Sequence, residues 1–337
     1  SGYAEEMSRM VWVSLLLALA LVISGWATKP ARLKPVFSEQ NLNDDLRGDI
    51  RGDIRGGLDA LLAEREAAVG ARIIDGAEKR IRWAAAPGER TEYVVNYLHG
   101  LSATRQELAP VPEQVAEALG ANLFETRLAG HGLEQDALVG MSAEQWLEDG
   151  SEALAIGKAL GERLILMGTS TGATLALSLA QHPQFSAVEA LILLSPNFGP
   201  SAGGSGLATG PLGPQFIRLV AGEYREWEPA NERQGRYWHT RYPTTALIEM
   251  MRLVDLAVAE TPAARVPKAM LIYSPNVQVV SVQRLLRGFE RLPAGEKAVH
   301  QILSGGGPSN HVLAGDILAP ENNLTTAAMI TSFLHSE

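Results

Sequence analysis

Hydrophobic and polar positions alternate along the body of the chain in a pattern that predicts strands and helices in turn. Short apolar runs occur at residues 93–98, 122–127, 163–167, 190–194, 269–273 and 298–303. Longer stretches with helical periodicity lie between or after them, at residues 110–119, 142–160, 171–181, 280–291 and 325–334. Buried strands that alternate with helices are typical of a mostly parallel sheet with helices on both faces. We therefore predict an α/β fold around such a central sheet.

An apolar segment near the start of the chain differs from this pattern. Residues 10–23 are nearly all apolar, and Gly-Trp-Ala at 25–27 has the small-x-small spacing of a signal-peptidase site. We predict that residues 1–27 form a signal peptide or a membrane anchor, with membrane association through residues 10–26. The run is shorter than the roughly 20 residues of a usual membrane span, so a core helix is the alternative. We expect an exported or membrane-associated location, and a cytoplasmic one stays open.

Residues 28–75 are predicted to form a polar linker and an N-terminal arm. The linker contains Arg-Gly-Asp-Ile at 47–50 and again at 51–54, which we interpret as a solvated stretch. Apolar positions at helical spacing in residues 58–69 predict a short amphipathic helix that packs on the domain. The remaining residues, 76–337, suit one α/β domain.

A long insertion, at about residues 198–262, separates two predicted strands. It begins with glycine and serine and continues with aromatic residues among charged ones. We predict a cap over the functional site, with Trp227, Tyr237 and Trp238 as candidate substrate-binding residues. The alternative is that these aromatic side chains only attach the cap to the core.

Composition and charge exclude several classes of function. The formal net charge is −9 and there is no long basic run, which argues against a nucleic-acid partner. The chain has no cysteine, which excludes disulfides, thiolate catalysis and cysteine-ligated zinc. No histidine and carboxylate cluster has metal-ligand spacing, and no glycine-rich piece follows a strand as a nucleotide fingerprint requires. We therefore expect neither a metal nor a cofactor.

The sharpest motif is Gly-Thr-Ser-Thr-Gly at 168–172, between a predicted strand and a predicted helix. This context is that of the nucleophile elbow, a strained turn that exposes a serine hydroxyl above the sheet. The glycines are needed because the turn leaves no room for side chains beside the helix and the neighbouring strand. The motif predicts Ser170 as a nucleophile, with the Thr171 N–H as a donor to a developing oxyanion at the helix N-terminus.

Two further sites complete a candidate hydrolytic centre. His-Gly-Leu at 99–101 follows the predicted strand 93–98, and the loop can present the Leu101 N–H as a second oxyanion donor. A plain strand-ending turn is the alternative for this loop. His311 lies on a glycine-rich loop after the last predicted strand, where the chain order of serine, acid and histidine requires the base. We predict His311 as the general base.

From about residue 90 to its end, the chain resembles the α/β-hydrolase superfamily, especially its monoacylglycerol-lipase and carboxylesterase-like branch. The resemblance is carried by the elbow, by His-Gly-Leu at 99–101, by Gly-His-Gly at 130–132 and by Ser-Asn-His-Val at 309–312. It implies an α/β-hydrolase fold and hydrolysis of carboxylic esters without a cofactor. The expected substrates are small esters or monoacylglycerol-like lipids.

The chain departs from this family at the catalytic acid. The family pattern is similar to Ser-Pro-x-Asp-x-Val-Val, whereas residues 274–280 are Ser-Pro-Asn-Val-Gln-Val-Val. Val277 occupies the expected aspartate position, and a valine cannot accept a hydrogen bond from the histidine. Asn276, Asp316 and Asp255 are the candidate replacements, and a weakened site is the other alternative.

Three functions follow from these residues. The leading hypothesis is a carboxylic ester hydrolase that forms an acyl-enzyme on Ser170. Because of Val277, a catalytically weakened enzyme or a non-catalytic binding protein of the same fold is the second hypothesis. The third is acyl transfer to an acceptor other than water, which would use the same serine and histidine. The expected partner is a small-molecule ester or lipid, and the sequence does not determine the oligomeric state.

Overall fold

The computed structural model of this protein describes residues 29–33, 54–70, 72–135, 137–179, 183–201, 209–259 and 265–336. The predictions for residues 1–27 and for the Arg-Gly-Asp repeat lie outside these residues. Within the described part of the chain, no helix is both long enough and apolar enough to cross a membrane.

Seven described strands form one twisted sheet, in the order β1-β3-β2-β4-β5-β8-β9. All neighbouring pairs are parallel except β1 and β3, which are antiparallel. The strands of this sheet are β1 (Arg80–Arg82), β2 (Thr91–Leu98), β3 (Asn122–Glu125), β4 (Gly161–Thr169), β5 (Val188–Leu194), β8 (Val266–Tyr273) and β9 (Ala294–Gln301). The predicted mostly parallel sheet is confirmed.

The described helices are α1 (Ile54–Ala67), α2 (Val111–Leu119), α3 (Ala143–Leu160), α4 (Thr171–Ser178), α5 (Gly213–Ala221), α6 (Glu232–Tyr237), α7 (Thr245–Ala259), α8 (Val282–Arg291) and α9 (Asn323–His335). A two-stranded hairpin of β6 (Tyr224–Glu226) and β7 (Arg241–Pro243) lies in the segment between β5 and β8, together with α5, α6 and α7. This segment corresponds to the predicted cap.

The central strands bury both of their faces. Along β4, Leu164 and Leu166 belong to one apolar cluster, whereas Ile165 and Met167 belong to another. Successive side chains of a strand point to opposite faces, so each cluster fills one side of the sheet. The helices α2 and α9 supply apolar residues to the second cluster, and α1, α3, α4, α7 and α8 supply them to the first. The sheet is therefore covered on both sides, as predicted.

The start of α3 shows how local sequence determines a boundary. Ser142 has an extended backbone and its side chain accepts the N–H of Gln145, while the Gln145 side chain accepts the N–H of Ser142. This reciprocal pair is a capping box, which satisfies backbone donors that have no partner within the helix.

The edge strands differ from the sequence prediction. β1 was not predicted, because it has only three residues and two of them are arginines. It pairs antiparallel with β3 at the edge of the sheet. β9 begins at Ala294 rather than at residue 298, and half-buried positions alternate with exposed ones along it. An edge strand is solvated on one side, so its sequence lacks the continuous apolar run of a central strand.

Candidate active site

Ser170 lies in a sharp turn between β4 and α4, at the centre of the sheet. Its φ is +53° and its ψ is −116°, a backbone conformation that L-residues rarely adopt. The Ser170 N–H donates to Leu194 O at 2.9 Å, which anchors the turn to β5. A Cβ on Gly172 would collide with the carbonyl oxygens of Leu98 and His99, so this position requires glycine. The local geometry is that of a nucleophile elbow.

The structure brings His311 to the serine. His311 Nε2 lies 2.8 Å from Ser170 Oγ, although 141 positions separate the two residues. The loop after β9 that carries the histidine closes on itself, because the Gly306 N–H donates to Val312 O at 2.6 Å and the Gly305 N–H donates to Asn310 Oδ1 at 3.1 Å. The predicted nucleophile and base therefore form a hydrogen-bonded pair.

The electrostatics of His311 favour a neutral imidazole. Burial disfavours the charged ring and lowers the pKa of His311 to about 4. At neutral pH the ring can thus accept the Ser170 proton. Its Nδ1 atom is buried, and no residue of the described chain accepts a hydrogen bond from it. Among the described residues, none supplies the carboxylate that would orient this histidine and stabilise its protonated form.

The three candidates for the acid do not serve His311. Asn276 is exposed, and its Nδ2 donates to Leu303 O at 3.1 Å. Asp316 is also exposed, and its Oδ1 accepts from Asn323 Nδ2 at 2.7 Å. Asp255 is half-buried on α7. None of the three is hydrogen-bonded to His311 Nδ1.

Val277 lies in the loop that faces the histidine loop. Its side chain is buried, and the N–H of the next residue, Gln278, donates to Ser309 O at 2.9 Å. The two loops are thereby joined two residues before His311. The apolar side chain at 277 leaves the expected acid position without an acceptor.

The loop at 99–101 lies against the nucleophile. A Cβ on Gly100 would lie 3.3 Å from the Ser170 Cβ. His99 Nε2 accepts the Leu128 N–H at 3.1 Å, so its Nδ1 carries the proton and donates to Gly100 O at 2.9 Å. In a trans peptide the C=O and the next N–H point in opposite directions, so the Leu101 N–H points away from His99. The oxyanion roles of the Leu101 and Thr171 N–H groups stay a prediction.

The cap aromatics pack beside both catalytic loops. Trp238 is buried in a small apolar cluster with Ala103 and Val312, the neighbour of His311. Trp227 and Tyr237 are partly buried and pack against the same cluster. These residues hold the cap against the oxyanion and histidine loops, and their role in substrate binding stays a prediction.

A separate cavity of about 650 Å³ lies between the cap, residues 72–75 at the end of the predicted arm and the loop after β3. Its lining includes Arg72, Glu134, Arg241 and Trp238. Neither Ser170 nor His311 lines it, so the reaction centre is elsewhere. Among the described residues no group of three or more histidines and carboxylates could hold a metal ion.

No family model matches the chain, and no curated protein matches its sequence. Several solved structures match its fold. One, from work on the metagenome-derived lipolytic enzymes LipS and LipT, has a TM-score of 0.61 at 18% identity and covers 79% of this chain and 100% of its own. The Paleococcus ferrophilus monoacylglycerol lipase has a TM-score of 0.56 at 16% identity, covering 76% of this chain and 97% of its own. A soluble variant of Saccharomyces cerevisiae monoglyceride lipase, in complex with a substrate analogue, has a TM-score of 0.55 at 13% identity, covering 79% and 94%. The chain has the α/β-hydrolase fold.

The resemblance to lipases and esterases expected from sequence is confirmed at the level of structure. Identities this low establish the fold and leave the activity to be argued from the site. Within the α/β-hydrolase fold, the nucleophile follows a central strand and the histidine follows the last strand. Ser170 after β4 and His311 after β9 satisfy this order, whereas no described residue between them supplies an acid to His311.

Proposed function

We propose that this protein is a serine hydrolase that cleaves carboxylic esters through an acyl-enzyme on Ser170. The observation that carries this proposal is the 2.8 Å contact between His311 Nε2 and Ser170 Oγ, with the serine at a strained elbow. A hydroxyl is a weak nucleophile unless a base takes its proton, and this contact provides the base. The lipolytic names of the structural neighbours support ester hydrolysis as the reaction class.

The proposed reaction has two halves. His311 accepts the Ser170 proton as the Ser170 oxygen attacks the ester carbonyl, and the Leu101 and Thr171 N–H groups stabilise the oxyanion. The C–O bond breaks, His311 returns the proton to the leaving alcohol, and the acyl-enzyme remains. Water then gives a proton to His311 as its oxygen attacks the acyl carbon. The bond between that carbon and Ser170 Oγ breaks, His311 returns the proton to Ser170, and the acid is released.

The missing acid makes this a slow enzyme. No described residue stabilises the imidazolium at Nδ1, and a base with a pKa of about 4 abstracts a hydroxyl proton weakly at neutral pH. Loss of the acid function from a triad costs about four decades in turnover, and the oxyanion hole retains part of the catalysis. The proposed substrates are small esters or monoacylglycerol-like lipids, and no step requires a cofactor.

The test is turnover of p-nitrophenyl esters of two to twelve carbons by the full chain. Ser170→Ala should reduce hydrolysis to background, whereas Ser151→Ala should retain it. Ser151 is a matched control because it is also buried, yet it lies on α3 and its hydroxyl donates to Leu147 O. Hydrolysis that survives Ser170→Ala would refute the assignment of the nucleophile.

The orphan Nδ1 of His311 also favours a second candidate, a binding protein with a hydrolase fold. A fluorophosphonate probe separates the two. Covalent labelling of Ser170 in the wild-type protein supports the hydrolase. Absence of both labelling and turnover, with ester binding retained, favours the binding protein.

A further inference from the structure

A buried carboxyl group lies directly beneath the oxyanion loop. Glu107 is in a short 3-10 turn, Arg105–Glu107, and only 3% of the residue is exposed. Its Oε2 accepts the Gly100 N–H at 2.7 Å and lies 3.2 Å from Tyr97 Oη. Tyr97 is also fully buried, and its Oη lies 3.1 Å from Thr169 Oγ1. The three side chains form one continuous polar chain inside an apolar core.

This chain connects the two backbone segments that carry the oxyanion donors. Gly100 precedes Leu101, and Thr169 lies two positions before Thr171. The carboxylate is also close to the nucleophile itself, since the position that a Gly100 Cβ would occupy is 2.9 Å from Glu107 Oε1 and 3.3 Å from Ser170 Cβ. A shift of the Glu107 side chain would therefore be transmitted to both sides of the site.

Two successive peptide groups of the oxyanion loop are held in this way. The peptide before Gly100 is fixed by its N–H to Glu107, and the peptide after it is fixed by the bond between Gly100 O and His99 Nδ1. With both planes fixed, the direction of the Leu101 N–H is determined before substrate binds. Preorganised donors of this kind stabilise a developing oxyanion without reorganisation.

Glu107 does not serve as half of an ion pair. No salt bridge of the described residues includes it, and the neighbouring Arg105 binds the Glu78 backbone and carboxylate instead. Burying a carboxyl group without a cation is costly, so the hydrogen bonds to the loop are its compensating contacts. The turn also contacts the histidine loop, because a Cβ on Gly315 would collide with Glu107 O and the Asp316 N–H donates to Ala109 O at 2.8 Å.

We propose that Glu107 is a positioning residue of the active site, which orients the oxyanion loop through its bond to the Gly100 N–H and is coupled to the elbow through Tyr97 and Thr169. This inference rests on the proposed hydrolase function. Glu107 does not touch the reacting atoms, and its effect on catalysis is exerted through the Leu101 donor.

Two variants of similar size separate the hydrogen bond from the packing. Glu107→Gln keeps an oxygen that accepts the Gly100 N–H, whereas Glu107→Leu removes the acceptor. We expect Glu107→Leu to lower kcat by about 10²-fold, comparable to the loss of one oxyanion donor, with KM within about threefold of wild type. Glu107→Gln should retain kcat within about fivefold. The same order should hold for the rate at which a fluorophosphonate labels Ser170.

Glu125→Gln is the matched control, because Glu125 is an equally buried carboxyl group that contacts Arg80 and makes no bond to the oxyanion loop. It should leave kcat within about twofold of wild type. If Glu107→Leu does not fold, Tyr97→Phe tests the same chain, since it removes only the hydroxyl between Glu107 and Thr169 and should lower kcat without changing KM.

The outcomes separate the two proposals. If wild type neither turns over esters nor labels at Ser170, the hydrolase function fails and this inference fails with it. If wild type is active and Glu107→Leu, or Tyr97→Phe in its place, retains full kcat, only the positioning role of Glu107 is overturned. Equal losses in Glu107→Gln and Glu107→Leu would also overturn it, because the acceptor would then be irrelevant.

Discussion

The strength of the catalytic base depends on two residues, His311 and Val277. One ring nitrogen of His311 contacts Ser170, and the other has no partner in the part of the chain that the structure describes. Val277 is buried where an acceptor for that second nitrogen is expected. A carboxylate beside an imidazole raises the pKa of the imidazole and stabilises its protonated form. Under the proposed function, the residue at 277 determines both the rate and the pH range of the reaction.

Val277→Asp should raise kcat by at least about tenfold, because it supplies the missing charge stabilisation. It should also raise the pKa of His311 from about 4, so that the acidic limb of kcat/KM moves to higher pH. The measurement is kcat/KM from pH 4 to pH 9. Val279→Asp is the control, since it adds the same charge to the same loop at a side chain that is 44% exposed. Equal pH profiles for the two variants would contradict the prediction.

Glu107 makes a second prediction at the residue scale, for stability rather than activity. Burial raises the pKa of Glu107 from 4.5 to about 7. Between these values the folded protein binds more protons than the unfolded chain, so the free energy of unfolding falls as the pH rises from about 4.5 to about 7.

Glu107→Gln removes this titration and should reduce the loss of stability between pH 5 and pH 8 by up to about 3 kcal/mol. Urea unfolding of wild type and variant at both pH values measures the difference. Glu125 and Asp149 also have pKa values raised by burial, to about 7 and about 6, and remain in both proteins. An unchanged pH dependence in the variant would show that Glu107 titrates normally.

At the scale of elements, the cap and the body meet at the same loops that carry the chemistry. The hairpin of β6 and β7 and the helix α6 place Trp238 against Ala103 and Val312. The His239 N–H donates to Ser102 O at 2.7 Å, immediately after Leu101, the proposed oxyanion donor. The cap therefore supports the reaction centre, in addition to any contact that it makes with substrate.

Trp238→Ala should destabilise the protein by about 3 kcal/mol, because it leaves a cavity between the cap and the two loops. We also expect kcat to fall, since Val312 adjoins His311 in the same cluster. Thermal unfolding and ester turnover report the two effects. Leu219→Ala is the control within the cap, because its side chain is 85% exposed and should leave both quantities unchanged. Wild-type turnover in Trp238→Ala would mean that the loops do not depend on the cap.

For the whole molecule, the N-terminal helix is part of the packed core. Leu58 and Leu62 of α1 lie in the main apolar cluster with α3 and the sheet. Glu66 binds the buried Arg127 side chain with both carboxylate oxygens at 2.8 Å, and Arg65 binds Glu152 at 2.6 Å. These contacts join a helix predicted as part of an arm to the loop that follows β3 and to α3.

Glu66→Ala should destabilise the whole domain by about 3 kcal/mol, because it leaves the Arg127 guanidinium buried without the carboxylate that it binds. Chemical denaturation monitored by tryptophan fluorescence provides the measurement. Glu64→Ala on the same helix is the control, since Glu64 is exposed. If both variants have wild-type stability, α1 is not coupled to folding of the body.

The sequence by itself determined the features that local chemistry encodes. Continuous apolar runs identify central strands, because those strands are buried on both faces. The elbow is visible because only glycine permits the close approach of α4 to Leu98 and His99. The sequence also predicted that Ser170 and His311 follow strands of one parallel sheet. Parallel strands place such loops at the same edge of the sheet.

The tertiary structure alone decided what depends on distant contacts. The hydrogen bond from the Gly100 N–H to Glu107 could not be predicted from the sequence, because a polar residue in a short turn is ordinarily solvated. The sequence showed a valine at 277. That no described residue accepts a hydrogen bond from His311 Nδ1 follows only from the positions of all the described loops around it. The sequence also did not predict the edge strand β1. Three residues are too few to show a strand pattern, and β1 is a strand because it pairs with β3.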